Sequence, residues 1–412
     1  MTDRDLADEG SVRALDVLRA AATPDGFVAA TTDRDNYRRV WARDGVITSL
    51  AALLTDDPRL HAAALATLRT LASRQGPQGQ IASNVDPAHD AVSYGGTAGR
   101  VDASLWFVIG CHRWWEETTD EQFLREYVPV LERVEFVLAA WEFNAKGLLY
   151  VPETGDWADE FLQHGYILYD QLLYLRALRG LADMCAARGL TERSALRAEK
   201  AERLVALIRD NFWFYRCDPF PEHAYHPGIF QKGCEAAEHR GAYWMPYFSP
   251  TGYGYRFDAF ANVMAPLLGA ADADQAEATD RYIAAHVVRQ DFPVLPAFSP
   301  VVQPVDADWK ELQSTFSNTF KNKPYEFHNG GLWPLLNGFY AADLARRGKR
   351  ELAERFLTAA HAANRLGRNG EEWGFYEFIH GQTLRPGGTP QQTWSAAAAV
   401  IGQAALDGRM PL

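Results

Sequence analysis

The feature that most constrains this chain is helical periodicity repeated a dozen times. Apolar residues recur at i, i+3 and i+4 through Ser11 to Ala22, Val46 to Leu54, Arg59 to Ser73, Ala103 to Glu117, Glu121 to Phe143, Leu168 to Arg188 and Thr191 to Asn211. That spacing lays one apolar stripe along an α-helix. The pattern resumes in Phe257 to Ala270, Ala273 to Val288, Leu332 to Arg347, Arg350 to Asn364 and Gln391 to Leu406. Asp57 ahead of a Pro-opened segment, and Thr191 with Glu192 behind it, read as helix starts. Strand-like runs are few and short, such as Gly147 to Val151. The expected fold is all-α. Connections alternate between short and long, which suits a closed ring of helical hairpins with the long loops over one rim. The 412 residues, 47% hydrophobic and without an obvious linker, are expected to form a single domain, 1–412.

Charge narrows the range of partners. A formal net charge of −12 disfavours nucleic acid, whose phosphates call for clustered Lys and Arg. No run is apolar and long enough to span a bilayer, and Met1-Thr2-Asp3-Arg4-Asp5 opens with alternating charges, so the expected location is the cytoplasm. Cys111, Cys185, Cys217 and Cys234 show neither CxxC spacing nor paired His motifs and are expected to be free thiols. No metal or cofactor is expected, and a homo-oligomer is compatible with the sequence.

Polar and aromatic residues gather in six long loops: Asn36 to Gly45, Gln75 to Asp102, Glu153 to Gly165, Cys217 to Gly254, Asp291 to Asn329 and Asn369 to Thr389. Two of them are acidic and aromatic together, Gly155-Asp156-Trp157-Ala158-Asp159-Glu160 and Glu371-Glu372-Trp373-Gly374-Phe375-Tyr376-Glu377. Two carboxyl groups beside flat rings suit hydrolysis of a glycosidic bond: one protonates the leaving oxygen, the other activates water, and the rings stack on sugar faces. In the first loop, Trp41, Arg43 and Asp44 could grip vicinal hydroxyls, since a guanidinium donates and a carboxylate accepts; a loop ion pair with Asp44 capping the next helix explains them equally well. Asp102 reads as a sugar contact or a helix cap. Trp157 offers a stacking ring and an apolar neighbour that would raise a carboxyl pKa. In Tyr325-Glu326-Phe327-His328-Asn329-Gly330-Gly331-Leu332-Trp333-Pro334, His328 and Asn329 can hydrogen-bond and Trp333 opens a helix; His328 lacks a second ligand at metal spacing.

These segments carry a resemblance. "NYRRVWARDG", "GRVDASLWF", "GDWADE" followed by "GY", "GYRFDAFANVMAPLLG", "HNGGLWP" and Glu377-Phe378-Ile379-His380-Gly381 followed by "QQTW" stand in the order seen in the neutral/alkaline invertases. The resemblance runs from about Asn36 to Ile401. More loosely the chain is similar to amylo-α-1,6-glucosidases and mannosylglycerate hydrolases. It implies an (α/α)6 barrel of the six-hairpin glycosidase type and an exo-acting, inverting hydrolase of a small sugar such as sucrose. By motif, the general acid falls on Asp159, with Asp156 the competitor, and the general base on Glu377. Trp41, Arg43, Asp44, His328, Asn329 and Trp333 match residues lining the innermost sugar site, and Asp102, Asp156, Trp157 and Trp373 join them as candidate contacts. The chain departs from the pattern at Glu160-Phe161, where the invertases have a basic pair, and at Ile379-His380-Gly381, where they have Tyr-Asp-Gly. Alternative readings are an α-glucosidase or debranching-type enzyme, a glycosylglycerate hydrolase, a sugar epimerase, and a non-catalytic carbohydrate-binding protein.

Overall fold

The computed structural model describes residues 2–158, 160–315 and 319–412. Within them the helices are α1 (Asp3–Ala21), α2 (Ala42–Leu53), α3 (Pro58–Ser73), α4 (Val101–Thr118), α5 (Glu121–Ala140), α6 (Leu168–Ala187), α7 (Thr191–Phe212), α8 (Pro227–Ala236), α9 (Ala259–Leu267), α10 (Ala273–Tyr282), α11 (Trp309–Ser314), α12 (Pro334–Arg346), α13 (Arg350–Arg365) and α14 (Thr393–Leu406). Helices α2, α4, α6, α9, α12 and α14 each pack on the next, and α14 packs back on α2, closing an inner ring. Helices α1, α3, α5, α7, α10 and α13 form the outer ring, each resting on an inner helix. This is the (α/α)6 barrel expected from the sequence.

The two rings differ in sequence as their burial requires. Every residue of α2 and of α9 is buried, so apart from Arg43, Asp44 and Asn262 these helices are apolar or small on all faces. The outer α13 instead carries one stripe, with Ala353, Phe356, Leu357, Ala360 and Ala363 buried. Small residues set the spacing inside the ring. A Cβ on Gly338 of α12 would stand 2.2 Å from the Ala398 carbonyl oxygen of α14, so only glycine permits that approach.

Several boundaries differ from expectation. Helix α1 begins at Asp3, eight residues before the expected Ser11, because Thr2 and Asp5 form a capping box that starts it on polar residues. Asp57 caps α3 through the Arg59 N–H, as expected. Thr191 is not a cap: it is the first helical residue of α7, and Leu190 precedes it without a side-chain bond. Helices α8 and α11 lie inside long loops where no periodicity announced them. Gly147 to Val151 forms no strand; Val151 makes only a single bridge with Gly165.

Short connections join inner to outer helices, and long ones return from outer to inner. The long loops are stitched to each other around the rim. Val40–Trp41 pairs with Asn84–Val85, and the Val101 N–H donates to Gly155 O. Tyr166–Ile167 pairs with Tyr247–Phe248, and Phe257–Asp258 with Phe298–Ser299. Leu332 bridges to Ile379 and Gln392 to Ala30, which completes the circuit.

Cys217 and Cys234 form a disulfide across the 213–258 loop, with Cα atoms 5.5 Å apart, which corrects the expectation of four free thiols. The spacing of the two residues showed no known bridge pattern, and only the fold brings them together. Cys111 and Cys185 are free and buried. No helix among the described residues is long and apolar enough to cross a membrane.

One contact between outer helices makes stability depend on pH. His361 of α13 is fully buried against Gly10 of α1, where an added Cβ would come within 2.2 Å of its ring. Burial lowers its pKa from 6.5 to about 4. The folded state holds the neutral ring, so this stabilisation is complete above the unfolded pKa and is lost as pH falls through about 4. We expect His361→Leu to flatten the stability profile between pH 7 and pH 4 by on the order of 3 kcal/mol in urea unfolding. An unchanged slope would exclude His361 as its source.

Candidate active site

The inner helices run parallel, and their N-terminal ends meet under the long loops. There they surround a cavity of about 790 Å3, lined by Trp41, Arg43, Asp44, Trp157, His328, Trp333, Glu377 and Trp394 among others. A helix N-terminus carries partial positive charge and favours carboxylates in its first turn. Asp44, Asp102 and Asp170 occupy the first turns of α2, α4 and α6, and Asp258 caps α9 through the Ala261 N–H.

Arg43 ties this floor together. Its Nη1 donates to Asp102 Oδ2 at 2.7 Å and to the Asp156 carbonyl at 3.3 Å, and its guanidinium lies 5.8 Å from the Trp394 ring. One side chain thereby joins α2, α4, α14 and the 153–165 loop. Asp44, Asp170 and Asp258 are pushed toward their neutral forms. Burial raises Asp44 to about 7; the charges of Glu377 and Asp102 add to this and Arg43 opposes it. Burial likewise raises Asp258 to about 7. Burial, with the charges of Asp156 and Asp102, pushes the Asp170 carboxyl well above its ordinary value. Gln392 Nε2 donates to Asp44 Oδ1 at 3.1 Å.

Glu377 projects from the 366–392 loop and is 4% exposed. Tyr37 Oη donates to its Oε1 at 2.7 Å and the Thr389 N–H to its Oε2 at 3.2 Å, leaving little rotational freedom. Gly388, at φ +72, makes room: a Cβ there would stand 2.3 Å from Glu377 Oε2. Two bulky residues near the cavity, Phe327 at φ +49 and Phe375 at φ +42, sit in the left-handed region that side chains disfavour. Such conformations persist only where surrounding bonds enforce them. Phe375 is held by its N–H to Asn364 O and by the Gln392 N–H to its own carbonyl.

Trp157, His328 and Trp333 form one connected wall. Trp157 meets His328 and Trp333 edge-on, with centroids 5.1 and 5.7 Å away, and stacks on Phe298. His328 lies flat on Trp333, 5.2 Å away with planes 7° apart. Trp41 donates its indole N–H to Asn36 O, which orients its ring beside Tyr37.

Other candidates lie elsewhere. Asp102 and Asp156 lie beneath the cavity rather than on its surface, Asp102 on Arg43 and Asp156 Oδ2 on Gln163 Nε2 at 2.9 Å. Asn329 does not line it either; its amide bonds to Val302 N–H, Val302 O and Asn322 O, which fixes the loop behind His328. Trp373 faces away: its N–H donates to Arg365 O at the end of α13, and its indole donates to Glu9 of α1 at 2.9 Å. In this position it braces the loop against the outer ring. Asp159 lies outside the described residues. Its neighbour Glu160 lines the cavity, with its carbonyl accepting from Thr315 Oγ1 at 3.0 Å and from Asn322 Nδ2.

Sequence reasoning did not single out Tyr37, Trp394, Gln392, Gly388, Asp170 or Asp258. Tyr37 and Trp394 sat inside the quoted motifs. Asp170 and Asp258 could have been noticed as acids opening strongly apolar helices. Among the described residues no group of three or more His, Cys, Asp or Glu side chains is arranged to hold a metal ion.

Residues 225–408 match the family model described as alkaline and neutral invertase. Among curated relatives, neutral/alkaline invertase 1 of Oryza sativa subsp. japonica, a mitochondrial protein, is 24% identical over 338 residues, covering 76% of this chain and 52% of its own. Alkaline/neutral invertase C of Arabidopsis thaliana, also mitochondrial, is 24% identical over 446 residues, covering 92% of this chain and 64% of its own. The chain thus spans between half and two thirds of the length of these relatives. Among solved structures, a bacterial glucoamylase complexed with acarbose superposes with TM-score 0.66 at 16% identity, over 97% of this chain and 56% of that one. Mannosylglycerate hydrolase from Thermus thermophilus superposes with TM-score 0.63 at 15% identity, over 95% of this chain and 98% of that one. The invertase resemblance read from the motifs is borne out by the sequence matches, and the helical barrel by the structures.

The network around Arg43 yields a stability cycle. Arg43→Met leaves Asp102 buried without its cation and should destabilise the fold by about 3–5 kcal/mol in urea unfolding. Adding Asp102→Asn should recover part of that loss. Strict additivity of the two substitutions would show that the pair is not coupled.

Proposed function

We propose that this chain is an exo-acting, inverting glycoside hydrolase that cleaves a small glycoside such as sucrose. The observation that carries the reading is Glu377, a buried carboxylate clamped by Tyr37 and the Thr389 N–H in an aromatic-walled cavity that Glu160, next to Asp159, also lines. Asp159 acts as general acid, giving its proton to the glycosidic oxygen as the bond to the anomeric carbon breaks. Glu377 takes a proton from a water molecule whose oxygen attacks that carbon from the opposite face. Tyr37 and Thr389 use both Glu377 oxygens, which aims the carboxylate at the water. Trp41, Trp157 and Trp333 bound the sugar's apolar face, and Arg43 with Asp44 anchors its hydroxyls. Asp44, with its pKa near 7, can either donate or accept.

Inversion calls for carboxyl groups roughly 6.5–9.5 Å apart, leaving space for the water. A second reading, hydrolysis of a glycoside with an acidic aglycone such as glycerate, is favoured by the Arg34, Arg39, Arg100 and Lys321 side chains around the same cavity. Reducing-sugar release from sucrose, maltose, trehalose and glucosylglycerate separates the two, and NMR of the first-formed anomer reports inversion or retention.

Glu377→Gln should lower kcat by at least about a thousandfold with Tm nearly unchanged, since a water-activating base is lost. Near-normal turnover would remove Glu377 from the mechanism. Asp159→Asn should be equally inactive; if Asp156→Asn is the dead variant instead, the acid is Asp156. Gly388→Ala should cost about a hundredfold in kcat by displacing Glu377, as expected of an ångström-scale misplacement. Full activity there would mean that the carboxylate does not need its observed position.

A further inference from the structure

A second cavity, of about 720 Å3, lies on the other side of the loop that carries the acidic cluster. Trp157 and Glu160 line the first cavity, whereas Phe161, Leu162 and Gln163 line the second. Its remaining walls come from the 213–258 loop, the end of α10 and the segment leading into α11.

Tyrosines dominate this cavity, and their hydroxyl groups divide into two kinds. Tyr243 Oη donates to Tyr255 O at 2.5 Å, Tyr253 Oη to Asn211 O at 3.0 Å and Tyr255 Oη to Gly233 O at 3.3 Å. These three rings are tied to the main chain and held rigid. The hydroxyls of Tyr247 and Tyr282 have no protein partner among the described residues. Tyr282 is the centre of a ring cluster, 4.6 Å from Tyr243, 5.3 Å from His239 and 4.9 Å from His286. Arg256 binds Asp308 through Nη1 at 2.5 Å, while its Nε is buried without a partner among the described residues.

The chemistry selects the class of ligand. The one guanidinium in the lining is matched by Asp308, and Glu238 and Glu311 add negative charge, which disfavours phosphates and other anions. Rigid rings beside free hydroxyls and a guanidinium–carboxylate pair suit a ligand with apolar C–H faces and many O–H groups. We propose that this cavity is a second saccharide-binding site, which takes a hexose unit of a neutral saccharide against Tyr247 and Tyr282, with Arg256 and Asp308 meeting its hydroxyls. This assignment does not depend on which carboxylates catalyse.

The test is calorimetric titration of the Glu377→Gln protein with maltotriose and, separately, with sucrose, together with crystals soaked in each. The expected result is two molecules bound per chain with at least one probe, and density beside Tyr282. Tyr282→Ala combined with Arg256→Leu should reduce the stoichiometry to one. Tyr247→Phe, which keeps the ring, should weaken the second site about fivefold, the worth of one hydrogen bond. One molecule per chain with both probes, or a second site indifferent to all these substitutions, would overturn the proposal. Turnover by the Glu377→Gln protein would count against the catalytic roles while leaving the second site standing.

Discussion

Everything at the floor of the first cavity follows from six parallel helices ending at one place. Each N-terminus brings unpaired N–H groups and roughly half a positive charge, so acids collect in the first turns. Yet the same convergence buries those acids together, and removing them from water costs more than the helix ends return. The conflict resolves in protons and one cation. Asp170 is pushed strongly toward its neutral form, burial raises Asp44 and Asp258 to about 7, and Arg43 compensates Asp102 beneath them. The floor is therefore able to exchange protons near neutral pH, a property of the architecture before any substrate is considered.

The loops divide their labour along similar lines. Residues on the cavity surface are aimed by bonds to their neighbours: Trp333 by the Phe327 carbonyl, His328 by the Asn322 side chain and Glu377 by Tyr37. The left-handed conformations of Phe327 and Phe375 belong to this same network, where backbone bonds hold the chain against its own preference. Asn329 and Gln163 are buried amides that work the same way.

Helices were legible because periodicity is local: each inner helix announced itself, and boundaries erred by a few residues except at α1, whose first half is polar. The six loops were legible by composition, and Trp41, Arg43, Asp44, Trp157, His328, Trp333 and Glu377 do surround one cavity. Direction was not legible. Trp373 and Glu377 stand four residues apart in one acidic, aromatic segment, yet one braces α1 and the other lines the cavity, because hydrogen bonds to α13 reverse the chain between them. The Cys217–Cys234 bridge closes 17 residues of one loop without a recognisable spacing pattern, and the pooling of Asp170 with Asp156 and Asp258 depends on contacts between segments, which no local pattern encodes.

The stitching of each rim loop to its neighbours limits how such a barrel can diversify. A loop that hung free could be exchanged like a cassette. Here Leu332 and Ile379 hydrogen-bond across one seam, and across the next the Thr31 N–H donates to Gln391 O and the Thr393 N–H to Ala29 O, so the 366–392 loop belongs to two boundaries at once. Lengthening or replacing it would oblige both flanking segments to adjust. New specificity should therefore arise more readily from side-chain changes within the existing loop lengths than from loop transplantation.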